Sequence, residues 1–270
     1  EHWLRSIVDL PLSFAELAAI LTQAGIEVEA ITQSDQTPPE SILTLKIPAN
    51  RGDCLGLEGL AREIVALVPQ SQLLGSRNIS SNLDALNLNA CFEVTITEPS
   101  QCPHYVASIV EGINNHLPSP AWMTDRLKSA GLNSISVVVD VLNYVMLELG
   151  QPLHAFDADR LQGSLQVRKV YPGESVVLLD GRCVTLDPSV LVIADQQQVQ
   201  AMAGIMGAAV SAVSSETKTI VVESAYFDPV TIRMAASRTG VRTDASYRFE
   251  RGVDPTLQKR ALKRAIELLT

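Results

Sequence analysis

The stretch "NYVMLELGQPLHAFD", residues 143–157, begins as an apolar helix, breaks at Gly150-Gln151-Pro152, and then delivers His154 and Asp157. Glycine is the usual residue just past a helix end, and a proline soon after it cannot continue the helix. The chain holds only four histidines, so one placed just beyond a broken helix, with Asn143 one element upstream, calls for an explanation. A lone histidine is read either as a satisfied structural residue or as a group facing a ligand. Asn143 is read either as a backbone cross-link or as part of the same wall.

Upstream of the break, "SVVVDVLNYVMLELG" reads as a helix. Before it "SPAWMTDRLKSAG" reads as another, with Ser119 as cap, Pro120 at the first position and Gly131 at the end. "ACFEVTI" and "HYVASIVEGI" are strands. Downstream, "ESVVLLDGRCVTL" is a hairpin turning at Asp180-Gly181, and "SVLVIAD" and "TIVVESAYF" are apolar runs of strand length. "DPTLQKRALKRAIELL" reads as a closing helix capped by Asp254, with an apolar face free to meet a further domain or subunit.

The first 68 residues differ in texture. Ser13 and Glu16 form a capping box, with Leu12 and Leu17 as staple, and the helix they open stops at Gly25. "IEVEAI" and "SILTLKI" alternate as half-buried strands around the polar linker "TQSDQTPPE", residues 32–40. "CLGLEGLAREIVAL" is a second amphipathic helix. The expected class is α+β. A small helix–strand–strand–helix N-terminal domain spans 1–68, a connector rich in Ser, Asn and Gln spans 69–88, and a larger mixed α/β domain spans 89–270.

A chain of 270 residues, 46% hydrophobic and 19% charged, buries a substantial core. Its formal net charge of −9 argues against loose binding to nucleic acid, which needs a positive surface. Cys54, Cys91, Cys102 and Cys183 form no C-x-x-C pair and read as buried small hydrophobes in a reducing cytoplasm. No signal peptide, membrane span or metal-ligand spacing is found, and neither is a nucleophile elbow, a Walker loop, a dinucleotide fingerprint or H-E-x-x-H.

Three stretches remain as candidates for chemistry. "AGIMGA" (203–208) is a tight turn or a stretch of bare backbone amides held against a ligand. Glu223, inside the apolar run "TIVVESAYF", needs either a strand end in solvent or a hydrogen-bonding ligand. "SRTGVRTDASYRFERGVDP" (237–255) is the least regular and most polar segment, either a web of ion pairs or the wall of a site.

Taken together, "AGIEVEAI", "NRGDCLGLEGLAREIVAL", "VVDVLNYVMLELGQPLHAFD", "VVLLDG", "LVIAD", "AMAGIMG", "ESAYFDP" and "RTDASYRFERGVDP" resemble the β subunit of bacterial phenylalanyl-tRNA synthetase, in family order over nearly the whole chain. The resemblance implies that residues 1–68 are the small N-terminal domain and 89–270 the editing domain, which hydrolyses tyrosine wrongly attached to the phenylalanine tRNA. By motif, Glu223 would meet the tyrosine hydroxyl, and His154 and Asn143 would stand at the reacting end. Gly204, Gly207, Thr243 and Ala245 would line the substrate. The implied partners are the acceptor end of the phenylalanine tRNA, tyrosine as editing ligand, and the synthetase α subunit, in the cytoplasm and away from any membrane. ATP and magnesium would serve the full synthetase, with no cofactor or metal in this part and no aminoacylation by it alone.

The family's inserted tRNA-binding OB-fold is replaced here by the nine-residue linker 32–40. Leu142, Asn133, Ala208, Ala209 and Val210 also depart from the family's usual residues. These departures favour a second reading, a non-catalytic amino-acid-binding or assembly scaffold derived from the editing domain. Retention of Glu223, His154, Asn143 and Thr243 favours the hydrolase.

Overall fold

Three clusters of apolar side chains organise the chain, and each grows from amphipathic stretches of the sequence. The computed structural model describes residues 1–74 and 92–270, so most of the expected connector, the first residues of the "ACFEVTI" strand and Cys91 lie outside the described residues. The first cluster draws all its buried members from residues 4–68. It is built from α1 (His2–Arg5), β1 (Val8–Asp9), α2 (Phe14–Gln23), β2 (Glu27–Gln33), β3 (Ser41–Lys46) and α3 (Leu57–Leu67), with β4 (Gln72–Leu73) returning to pair with β1. The capping box forms as its spacing predicts: the Glu16 N–H donates to Ser13 Oγ at 3.3 Å and the Ser13 N–H to Glu16 Oε2 at 2.8 Å. β2 and β3 pair antiparallel around the polar linker. The helix expected from Cys54 is split, because Gly52–Leu55 form a 3-10 turn and Gly56 is extended before α3 begins.

The larger part comprises β5 (Val94–Ile96), β6 (His104–Glu111), α4 (Ala121–Ser129), α5 (Val137–Leu149), β7 (Leu153–Asp157) and β8 (Leu165–Lys169). There follow β9 (Ser175–Val177), β10 (Cys183–Thr185), β11 (Leu191–Ala194), β12 (Val199–Met202), β13 (Met206–Gly207) and β14 (Thr219–Tyr226). Three helices close it: α6 (Pro229–Thr239), α7 (Asp244–Phe249) and α8 (Gln258–Leu269). The layout is mixed α+β, as the pattern of elements predicts.

The central layer is a three-stranded antiparallel sheet ordered β6-β14-β7. Side chains alternate across a strand, and β14 is apolar on both faces because both are covered. Ile220 and Val222 pack with Val138, Val141, Val145 and Ala261 of α5 and α8. Val221 and Ala225 pack with residues of a five-stranded sheet ordered β13-β12-β11-β8-β5. The helix face expected to await a further domain is thus spent within the chain: Ala261, Leu262, Ala265 and Ile266 of α8 are buried on this layer.

Several local expectations are corrected by stronger partners. Ser119 does not cap α4; its hydroxyl donates to the buried Asp140 carboxylate at 2.5 Å, which also receives Ser134 Oγ and the Ile135 N–H. α8 starts three residues later than Pro255, since Asp254 instead closes a turn by accepting the Thr256 N–H at 2.8 Å. The polar segment 237–255 contains a full helix, α7, capped by Thr243.

The two parts meet where glycine is required. A Cβ on Gly56 would lie 2.4 Å from the backbone nitrogen of Gly150, the left-handed residue that ends α5. The neighbouring contact is an ion pair from Arg260 to Glu58 at 2.5 Å. Backbone cannot yield as a side-chain tip can, so Gly56→Val is expected to lower stability by about 1–3 kcal/mol. Urea denaturation reads this, and an unchanged midpoint would show that the close approach carries no weight.

Candidate functional site

The Gly-Gln-Pro break sets the site. Gly150 ends α5 at φ +82°, and the buried Gln151 then ties the turn down. Its Nε2 donates to the carbonyls of Pro152 and Ala225 at 2.9 Å each, and its Oε1 accepts from Gln258 at 3.0 Å. The chain so aimed enters β7, which pairs with β14 in a register that places His154 directly opposite Glu223. Directly paired residues point to one face, with Cβ atoms about 5 Å apart. On the other side of β14, Glu223 pairs with Ala107 of β6, which puts Tyr105 diagonally next to Glu223 on that same face.

This face opens into a small cleft of about 70 Å³, whose wall includes His154, Glu223, Gly204, Gly207, Ala245 and Phe249. Five of the sequence-predicted residues therefore converge. Thr243 is not in the wall but holds it: its hydroxyl donates to the carbonyl of Ile205, a lining residue, at 2.8 Å, while accepting the Ser246 N–H at 3.1 Å. Asn143 does not line the cleft. It is half-buried on α5, and that helix packs on the opposite face of the sheet. Asp157, at the end of the opening stretch, accepts from Thr217 Oγ1 at 2.6 Å and is structural.

The two turn glycines serve different ends. Gly204 has φ +67°, and a Cβ there would press on Ile232, Phe227 and Phe249. Gly207 is the floor beneath the imidazole, where a Cβ would stand 2.4 Å from His154 Cε1 and 2.6 Å from its Nε2. The ring is also held edge-on by Phe156, with centroids 4.6 Å apart.

Among the described residues, no Lys or Arg side chain lines the cleft. Glu223 is 5% exposed, and its Oε2 is buried without a hydrogen-bond partner. Burial pushes its carboxyl up to about 8, offset in part by the Tyr105 hydroxyl. Burial likewise drives His154 down to about 4, so its imidazole is neutral at physiological pH. Among the described residues no group of three or more His, Cys, Asp and Glu side chains is arranged to hold a metal ion, and no helix is long and apolar enough to cross a membrane. Cys54 and Cys102 are buried, whereas Cys183 is exposed, contrary to its expected burial.

The B3/4 domain family model matches residues 101–270 of the chain. The chain belongs to the B3/4 domain family. It is 45% identical to the phenylalanine–tRNA ligase beta subunit of Pectobacterium atrosepticum over 85% of its length, and 46% identical to that of Methylococcus capsulatus over 91%. It spans only 28% and 30% of those relatives' own lengths. A solved N-terminal fragment of the phenylalanyl-tRNA synthetase beta subunit from Pyrococcus horikoshii matches 86% of this chain and 70% of that one at 18% identity and a TM-score of 0.39.

Sequence reasoning missed two features of this B3/4 site. Tyr105 carries no motif signal, since it reads as an ordinary strand aromatic in "HYVASIVEGI". Phe249 lies in the segment read as polar loop. The register of β6 on β14, with Ala107 opposite Glu223 and Tyr105 opposite Ala225, places Tyr105 on the face of Glu223.

Gly207→Ala is expected to leave stability within about 1 kcal/mol, because the ring tip of His154 can turn aside. The His154 ring signals in NMR should nevertheless shift strongly; unmoved signals would refute the close contact. A pH dependence also follows. The folded Glu223 value lies above its ordinary 4.5, so the folded state holds that proton more tightly and stability falls as pH rises toward about 8. The folded His154 value lies below its ordinary 6.5, so its contribution rises from about pH 4 to 6.5 and opposes that fall only there. Stability should therefore decline between pH 6.5 and 8, and Glu223→Gln should abolish the decline. Urea midpoints across that range decide it.

Proposed function

We propose that this B3/4 domain is an editing hydrolase that removes tyrosine wrongly joined to the phenylalanine tRNA, as a module of a phenylalanine–tRNA ligase beta subunit. The observation that carries the reading is the cross-strand pair Glu223–His154, with the buried carboxyl and the imidazole both in the wall of one cleft lined mainly by apolar residues. An apolar pocket rejects an isostere that adds a hydroxyl only about a hundredfold, which is why a second site is needed. A site built to hydrogen-bond that hydroxyl discriminates better, because its own polar group stays unpaired when the hydroxyl is missing.

Glu223 takes the phenolic hydroxyl. His154, one strand across, lies toward the ester. The ester is already activated, so no protein nucleophile is required. The neutral imidazole accepts a proton from water as the water oxygen attacks the carbonyl carbon. The carbon–oxygen bond to the terminal ribose then breaks, and the departing ribose oxygen takes up the proton. Gly207 leaves the imidazole the space that a Cβ would fill, and Thr243 holds Ile205 in the cleft wall.

Because the net charge is −9, the RNA is delivered by other parts of the enzyme, with only its acceptor end entering. The α subunit, ATP and magnesium belong to the synthetic reaction of the whole ligase, and the site of action is the cytoplasm.

The deciding experiment compares deacylation of tyrosyl- and phenylalanyl-tRNA for phenylalanine. The protein is expected to hydrolyse the tyrosyl ester faster. Glu223→Ala should erase most of that preference, and His154→Ala should slow the reaction by roughly 10²-fold or more. Tyrosine binding with no hydrolysis above the spontaneous rate would replace this reading with that of a non-catalytic scaffold.

A further inference from the structure

Among the described residues, two buried polar atoms on the inner face of the central sheet have no geometric hydrogen-bond partner: Glu223 Oε2 and the hydroxyl of Tyr105. Buried polar groups left unpaired are rare, because each forgoes its bonds to water. These two are diagonal neighbours on adjacent antiparallel strands, a spacing that an aromatic side chain spans. The other titratable groups facing Glu223 are His154 on β7 and Cys102 just before β6. The residues that approach from the β12–β13 turn and α7, Met202, Gly204, Ile205, Ala245 and Phe249, are uncharged. Among the described residues no cation stands beside the carboxyl, so the Tyr105 O–H is the donor available to its sealed oxygen.

We propose that Tyr105 is a positioning residue that sets substrate choice: its hydroxyl donates to Glu223 Oε2 and fixes the carboxyl so that Oε1 faces the cleft and meets the phenolic hydroxyl of the substrate. Resting on the editing reading, this extends it from one acidic residue to a pair that reads the substrate's oxygen through a hydrogen-bonded chain. A carboxyl free to rotate would turn Oε1 away at little cost, and the contrast between tyrosine and phenylalanine would weaken. Tyr105 also tempers the effect of burial on Glu223, which is the direction expected of a donor to the charged form.

Tyr105→Phe removes only the oxygen and preserves the ring packing. In that variant the Glu223 carboxyl, followed by carbon-13 NMR or infrared titration of the free protein, should titrate at higher pH than in the parent. The preference for tyrosyl over phenylalanyl ester should fall roughly tenfold, with the phenylalanyl rate unchanged. An unchanged Glu223 titration would overturn the pairing. An unchanged ester preference, where Glu223→Gln does lose it, would overturn the role in selection. If neither ester is hydrolysed by the parent protein, the editing reading fails while the titration still decides the pairing. Thermal unfolding of Tyr105→Phe close to that of the parent assigns these changes to the lost oxygen.

Discussion

The register between β14 and its two neighbours is the constraint on which the site depends. A shift of one residue in that pairing would turn Glu223 and His154 from the cleft into the apolar layer under α5 and α8. Several elements oppose such a slip. Ile220 and Val222 must face the helices while Val221 and Ala225 face the second sheet. Gln151, wedged between the Ala225 carbonyl and Gln258, pins β7 at its start, and Asp157 with Thr217 pins it at its end. A charged residue in an oily strand is tolerable only because the rest of the strand leaves it no other place.

That placement explains the electrical character of the site. Burial disfavours charge on either group, so the acid keeps its proton to higher pH and the imidazole loses its proton at lower pH. Both are close to neutral at pH 7. A neutral acid and a neutral base side by side repel nothing and attract little. The N-terminal part contributes by contact with the Gly150 turn, where Gly56 lets two backbones touch and so steadies the start of β7.

Much of the fold was legible because local chemistry and burial agree. The capping box at Ser13 and Glu16, the Asp180-Gly181 turn and the apolar run of β14 all appear where their residues predict. β7 was harder to read, since "LHAFD" is short and does not alternate; its pairing comes from β14, far away in sequence. Ser119 and Asp254 have the spacing of helix caps, but each finds a nearer or more deeply buried partner, which propensity cannot foresee. Glu223, His154, Gly204, Gly207 and Ala245 lie together in the wall of one cleft, whereas Asn143 stands apart because the sheet separates α5 from the cleft. Tyr105 was invisible until the register of β6 was known.

The central claim is that an acid in an apolar wall recognises a single phenolic oxygen beside an imidazole. A crystal structure of the protein soaked with L-tyrosine tests it most directly. The account predicts the phenolic oxygen within about 3 Å of Glu223, with the amino-acid end toward His154. Tyrosine seated with its α-amino group on Glu223, or bound outside the cleft, would contradict it.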